Sequence, residues 1–290
     1  MDDKIRAAMI RSELVPFLLH LSQGAAMLAL RKNLDITVPL VRQVFNLSPR
    51  SIGNIDLSVL LPLFPLLSAA NHAFALGEIY TGRATKQGLN ESIKWVEYGI
   101  SAGVMLWLIS SLSGILDLRS LVSIVLSNCL LQYVGSRIEK EAIGGTRNNV
   151  LMLLGWVIHF SIWAQIAIGF YGAIEETTLT KPVPGIVYGI IWVMFSLFSG
   201  FGIWSLIVSR TQTGGKTADE LRRNRIGYNT LSVVSKSVLM WMVFFGLKNA
   251  ELPTQPDIGV SSAGRGGKEG KIRPRLLGNE AKKMSGMNGR

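Results

Sequence analysis

Seven long apolar stretches divide this chain, covering about 14–30, 58–80, 95–116, 121–138, 150–173, 185–209 and 226–247. Each approaches the ~20 apolar residues that a bilayer-crossing helix needs. Helices satisfy their own backbone polar groups in hydrocarbon, so all seven can span. Most polar segments between them are short, which predicts antiparallel neighbours packed as one bundle. The exception is the segment of about 31–57, between the first and second stretches. Its run from Asp35 to Leu47, DITVPLVRQVFNL, is β-branched and partly alternating, and a short hairpin or surface strand pair is expected there. The expected fold is an all-α membrane protein, a bundle of seven transmembrane helices with a short β-hairpin between helices 1 and 2.

Two helix starts are also legible. Thr217, with Glu220 three residues on, reads as a capping box opening the seventh helix. Asn90, before Glu91 and Ser92, is placed to cap the third. From about 251 the chain turns to glycine, serine, proline and lysine, the composition of a disordered, solvated tail. Two regions are expected: a membrane domain over 1–250 and a basic tail over 251–290, with no nucleic-acid partner.

A mean hydropathy of +0.33 and a charged fraction of 17% exclude an ordinary soluble domain. The first stretch reads as a span and not as a leader. It carries His20 and Gln23 and has no small-residue cleavage site before a polar start. Cys129 is the single cysteine, so no disulfide can form within the chain. The basic residues set the expected orientation. On the N-terminal side lie fourteen: Lys4, Arg6, Arg11, Arg83, Lys86, Lys94, Arg137, Lys140, Arg147, Arg210, Lys216, Arg222, Arg223 and Arg225. Opposite lie six: Arg31, Lys32, Arg42, Arg50, Arg119 and Lys181. The richer side belongs in the cytoplasm, so the N-terminus is expected inside and the C-terminus outside. The tail's basic residues weigh little, because only Lys248 lies near the membrane.

Against this background Lys236 stands out as the one basic residue within a membrane-length apolar stretch. An ammonium near the bilayer centre costs roughly 3 kcal/mol or more and is usually kept for a function. A lysine can also form an imine with an aldehyde, which makes it a candidate cofactor anchor. Of the acids, only Glu97 and Glu78 fall within the stretches. Glu97 is the better counter-charge, since a nearby carboxylate favours a cationic nitrogen. The alternative is a glutamate at a helix start, facing water and favoured by the helix dipole.

His20, His72 and His159 all lie in apolar stretches. His20 and Gln23 share a helix face, and with Asn71 and His72 they can line a polar cavity between helices 1 and 2. Imidazoles there can hold or relay protons, or can serve as interhelical hydrogen-bond partners. Trp156, Trp163, Trp192, Trp204 and Trp241 read as lipid or core packing, some of them as pocket walls. No metal-ligand spacing is present. No nucleophile–base pair or phosphate loop points to an enzyme.

The local sequences sharpen this reading. The run WVEYGISAGVM from Trp95 resembles the third-helix signature of the heliorhodopsin family: tryptophan, any residue, Glu-Tyr, then serine and methionine at matching offsets. The run YNTLSVVSKSVLMW from Tyr228 resembles that family's seventh helix: a Leu-Ser pair, lysine four after the serine, tryptophan five after the lysine. His20, Gln23 and His72 match polar positions of its first two helices. The inverted orientation matches it as well. The resemblance covers about residues 1–248. It implies that Lys236 carries all-trans retinal as a Schiff base, with Glu97 as counterion and Ser232 one turn away. It implies a pocket of Tyr98, Ser101, Met105 and Trp241, with Trp163, Phe198 and Phe201, and an inner polar cavity of His20, Gln23 and His72. It also implies a homodimer. Gly103 replaces a frequent second serine and Leu131 a common pocket methionine, departures that resemble the divergent viral or eukaryotic members.

Familiar light-driven pumps keep an acceptor acid on helix 3, a donor eleven residues later and an aspartate four before the lysine. Here those last two positions hold Leu108 and Ser232. A proton pump needs acceptor and donor on opposite sides of the retinal nitrogen, so pumping is not expected. The expected function is light sensing with a cytoplasmic signalling partner. Retinal would isomerise from all-trans to 13-cis on Lys236. Proton release toward the His20/His72 cavity and then helix movement would follow. A light-gated proton conductor is the alternative, and a non-photoactive scaffold with Lys236 in a structural ion pair is a third.

Overall fold

The computed structural model describes residues 3–34, 36–43, 49–84, 91–175, 182–210 and 217–248. Among the described residues, seven helices are long and apolar enough to cross a membrane. They are α1 (Asp3–Leu30), α2 (Leu60–Tyr80), α3 (Glu91–Leu112), α4 (Leu118–Ile143), α5 (Asn149–Glu175), α6 (Gly185–Arg210) and α7 (Ala218–Leu247). Successive helices pack side by side, and α1 also meets α7, which closes the bundle. The most enclosed is α3: 72% of its spanning window is buried, against 22–56% for the others. A side chain on α3 therefore faces several helices at once. The apolar core runs through Phe64, Leu108, Ile109, Ile166, Val187 and Leu239.

The helices outrun the apolar stretches mostly at one end of the bundle. α1, α3 and α7 begin before their stretches, and α4 continues to Ile143 beyond its own. The capping box at Thr217 and Glu220 is present and starts α7 eight residues ahead of its apolar run. The Asn90 cap and the tail over 251–290 lie outside the described residues.

The expected hairpin is present as β1 (Thr37–Arg42) and β2 (Arg50–Asp56), paired antiparallel from Thr37 opposite Asp56 to Arg42 opposite Arg50. β1 turns Val38 inward while β2 is almost wholly exposed. The hairpin is tied to the start of α4. The Val41 N–H donates to Leu116 O at 3.0 Å, and the Gln43 N–H donates to Asp117 Oδ1 at 3.2 Å. Asp117 also caps α4 by accepting from the Ser120 N–H. Burial opposes its charge, but the N–H groups of Ser120 and Gln43 together prevail and hold the carboxyl below its ordinary value.

Candidate functional site

Lys236 lies 18 residues into α7, deep in the bundle and 3% exposed. Its Nζ has three oxygen neighbours. Glu97 Oε1 on α3 is at 3.0 Å and Ser232 Oγ, one turn earlier on α7, is at 2.9 Å. The third is Ser68 Oγ on α2. An ammonium has three donors, so this one is saturated. Ser68 in turn donates to Glu97 Oε1 at 2.6 Å. Glu97 is 7% exposed, so it is not a water-facing glutamate at a helix start. Three helices thus converge on one nitrogen. The contribution of α2 was not expected from the sequence, because a lone serine in an apolar run carries no signal of its partner.

Beside Lys236 opens a cavity of about 810 Å³, mouth included, bounded by α3, α4, α5, α6 and α7. Of the expected pocket residues, Tyr98, Ser101, Met105, Phe198 and Phe201 line it. Trp163 packs edge-on against Phe198, behind the wall. Trp241 is not among the lining residues; it stacks on Phe245 and meets Phe244 edge-on. Trp95, Trp156, His159, Leu131 and Ser205 also line the cavity. Glycines make its room: a Cβ at Gly135 would lie 2.5 Å from Trp95, and one at Gly202 would lie 3.0 Å from Trp156. Lys236 is the only Lys, Arg, Asp or Glu in the lining.

His20 and His72 stack with ring centroids 5.6 Å apart. His72 Nδ1 is 2.8 Å from Glu13 Oε2, while neither ring nitrogen of His20 has a partner among the described residues. Gln23 does not bond to either histidine; it accepts from Ser237 Oγ on α7 at 2.8 Å. His159 bonds Ser199 on α6 at 2.9 Å, the interhelical role.

Lys236 is the one basic residue well inside an apolar stretch, but it is not the one basic residue buried in a spanning helix. Lys94 in α3 and Arg225 in α7 are buried, as are Glu13 and Glu139, and all four lie within spanning helices. Arg225 Nε meets Glu13 Oε1 at 2.6 Å, and its NH1 meets Glu91 Oε1 at 2.9 Å. Lys94 Nζ lies 2.9 Å from both Glu91 and Glu139. The Trp95 indole N–H donates to Glu139 at 2.6 Å. The apolar-window reading missed these groups because each sits just outside an uninterrupted apolar run. A signal did exist: Arg225, Asn229, Ser232 and Lys236 repeat at four, three and four residues, one stripe along α7.

A seven-helix bundle with a buried, counter-charged lysine at the end of an aromatic cavity has the architecture of the microbial rhodopsins. Solved structures agree on the fold. A thermophilic rhodopsin aligns with a TM-score of 0.63 at 13% identity, covering 86% of this chain and 95% of its own. Xanthorhodopsin, a light-driven ion pump with dual chromophore, aligns at 0.62 and 10% identity over 86% and 95%. The Exiguobacterium sibiricum rhodopsin aligns at 0.60 and 16% identity over 84% and 97%. No curated protein sequence matches significantly. The heliorhodopsin family profile matches residues 11–247, and the chain belongs to the heliorhodopsin family. That family implies a retinal chromophore, and the residues present fit one. The cavity offers an amine at one end, aromatic walls along its length, and the Ser101 hydroxyl, which has no partner among the described residues.

Proposed function

We propose that this protein is a light-sensing receptor that signals rather than pumps, and that it is not an enzyme. The observation that carries this reading is the Lys236–Glu97 pair, at 3.0 Å, in a site with one carboxylate. The position four before Lys236 holds Ser232, and Leu108 stands eleven after Glu97. With a single acid at Lys236 there is no acceptor–donor pair with separated proton affinities, as directional transport requires.

Bound all-trans retinal, joined through its aldehyde to Lys236, would absorb the photon and change shape within the cavity. The chain's own residues do the rest. Glu97 holds the compensating charge at Nζ. Ser68 and Ser232 fix the nitrogen's position. Trp95, Tyr98 and Phe201 wall off water. A proton leaving this site meets His20 and His72 toward α1, and Ser68 and His72 are one turn apart on α2. The N-terminus is cytoplasmic in this reading. With Lys94 and Arg225 withdrawn into the bundle, twelve basic residues still oppose six. The receptor would work as a homodimer with a cytoplasmic signalling partner.

Adding all-trans retinal to the purified protein should produce a visible absorption band, and Lys236→Ala should abolish it. A pigmented, light-responsive Lys236→Ala protein would refute the mechanism, and the lack of any band in wild type would favour the scaffold. The second reading, a light-gated proton conductor, is favoured by the stacked His20–His72 pair leading to Glu13. A photocurrent in voltage-clamped cells would select it.

A further inference from the structure

Tyr228 lies on α7 eight residues before Lys236 and is 1% exposed. It is not among the residues that line the cavity, yet four residues that do line it rest on Tyr228. The Trp95 ring meets the Tyr228 ring edge-on with centroids 5.5 Å apart, and Phe201 stacks on it at 6.5 Å. The Tyr98 hydroxyl donates to the Tyr228 backbone oxygen at 3.2 Å. The Ser205 and Tyr228 hydroxyls share a hydrogen bond of 2.8 Å. The same ring carries the Lys94 ammonium, 4.4 Å from its centroid.

Lys94 joins Glu91 to Glu139, and Glu91 meets Arg225, which meets Glu13. These five groups come from α1, α3, α4 and α7, and none comes from α6. Phe201 and Ser205 are on α6, so Tyr228 is where the α6 wall of the cavity meets the charged groups. The two helices touch closely at this turn. A Cβ at Gly227 would collide with the Trp204 ring, and the Trp204 indole N–H donates to Asn224 O at 3.2 Å. Close-packed side chains pass a displacement on, because there is no void to absorb it. An aromatic face attracts a cation through its quadrupole, so movement of the Tyr228 ring changes what holds Lys94. Trp95 also reaches the charged groups, through its N–H bond to Glu139. It serves the α3 side of the cavity, and Tyr228 serves the α6 side.

We propose that Tyr228 is the positioning residue that couples the α6 wall of the cavity to the buried charged groups through Lys94. Displacement of Ser205 or Phe201 shifts the Tyr228 ring, and Lys94 redistributes between Glu91 and Glu139. Lys94 ties α3 to α4 through Glu139, so the output is a change in how those two helices are held. No covalent bond forms or breaks. The inference rests on the proposed function only for what displaces the wall, the change in shape of bound retinal under light.

The test is carbon NMR of the full chain labelled with ¹³Cε-lysine, without retinal, in lipid nanodiscs. The Lys94 signal is assigned by its loss in Lys94→Arg. If that variant does not fold, the ring currents of Tyr228 and Trp95 mark the signal, and Tyr228→Leu moves it toward the other lysines. The only hydrogen-bond partner of the Ser205 hydroxyl among the described residues is Tyr228. Ser205→Ala should shift the Lys94 signal in the wild-type background. Tyr228→Phe keeps the ring and loses the hydroxyl, and in that background the same change should shift the signal about threefold less. A merely structural Tyr228 would give equal shifts in both backgrounds. That result, or no shift from Ser205→Ala in the wild type, would overturn the proposal. In the retinal-loaded protein, illumination should move the Lys94 signal, and in Tyr228→Phe about half as far. An equal light-induced shift in both would also overturn it. Absence of pigment from the wild type, with the dark coupling intact, would refute the reading of Lys236 and leave this link standing.

Discussion

The Lys236 ammonium and the Glu97 carboxylate form an ion pair of 3.0 Å across α7 and α3, and both are buried. Each is the other's nearest compensation, so neither can be removed without exposing the partner's charge to a low dielectric. Deleting one member of such a pair costs roughly 3–5 kcal/mol. Lys236→Ala should therefore lower the melting temperature in detergent as well as abolish pigment. Glu97→Gln should stay pigmented, with its visible band moved to longer wavelength. The lost negative charge no longer holds positive charge near Nζ.

Ser68 bridges Glu97 and Lys236 from α2. Ser68→Ala removes a donor to Glu97 and one oxygen at Nζ. A cost of about 1–2 kcal/mol is expected, the scale of a hydrogen bond to a charged group. It should come with a shift of the visible band, read by absorption spectroscopy and thermal unfolding.

Lys94 lies between Glu91 and Glu139 and also over the Tyr228 ring, 4.4 Å from its centroid. Lys94→Met should cost about 3–5 kcal/mol by leaving Glu139 uncompensated. The double change Lys94→Met with Glu139→Met should cost less than Lys94→Met alone, because apolar replacement of a whole buried pair is often tolerated. Chemical denaturation of the single and double variants tests the ordering.

Trp95 cannot step aside cheaply, since its indole N–H is held by Glu139. Gly135→Ala places a methyl 2.5 Å from its ring. The cavity wall should shift inward, at a cost of about 1–3 kcal/mol. Slower retinal uptake than in wild type is the expected outcome, measured as the rate of pigment formation.

Asp117 caps α4 and holds the hairpin through Gln43. Asp117→Ala should cost about 1 kcal/mol, as other N-caps do. Its carboxyl value is depressed in the folded state. Its contribution is therefore complete above the ordinary carboxylate range and disappears as pH falls through the depressed value. The wild-type advantage over Asp117→Ala should vanish in strong acid, as thermal melts at several pH values would show.

The seven spans, the hairpin, the α7 capping box and the pairing of Lys236 with a helix-3 acid were legible along the chain, because each rests on local pattern. Apolar length determines a span, β-branched alternation a strand, and one expensive charge in a long apolar run demands a partner. Beyond that pair, what the chain alone could not settle was which groups meet across helices. Ser68 reaches Lys236, Glu13 reaches Arg225, and Lys94 and Arg225 turn inward rather than toward water. Trp241, five residues beyond Lys236, is not among the cavity's lining residues and packs on Phe244 and Phe245. Helix rotation and contact between elements far apart in sequence decide such matters. A charge at the edge of an apolar run looks the same in sequence whether it faces solvent or a buried partner, and only the packed bundle tells the two apart.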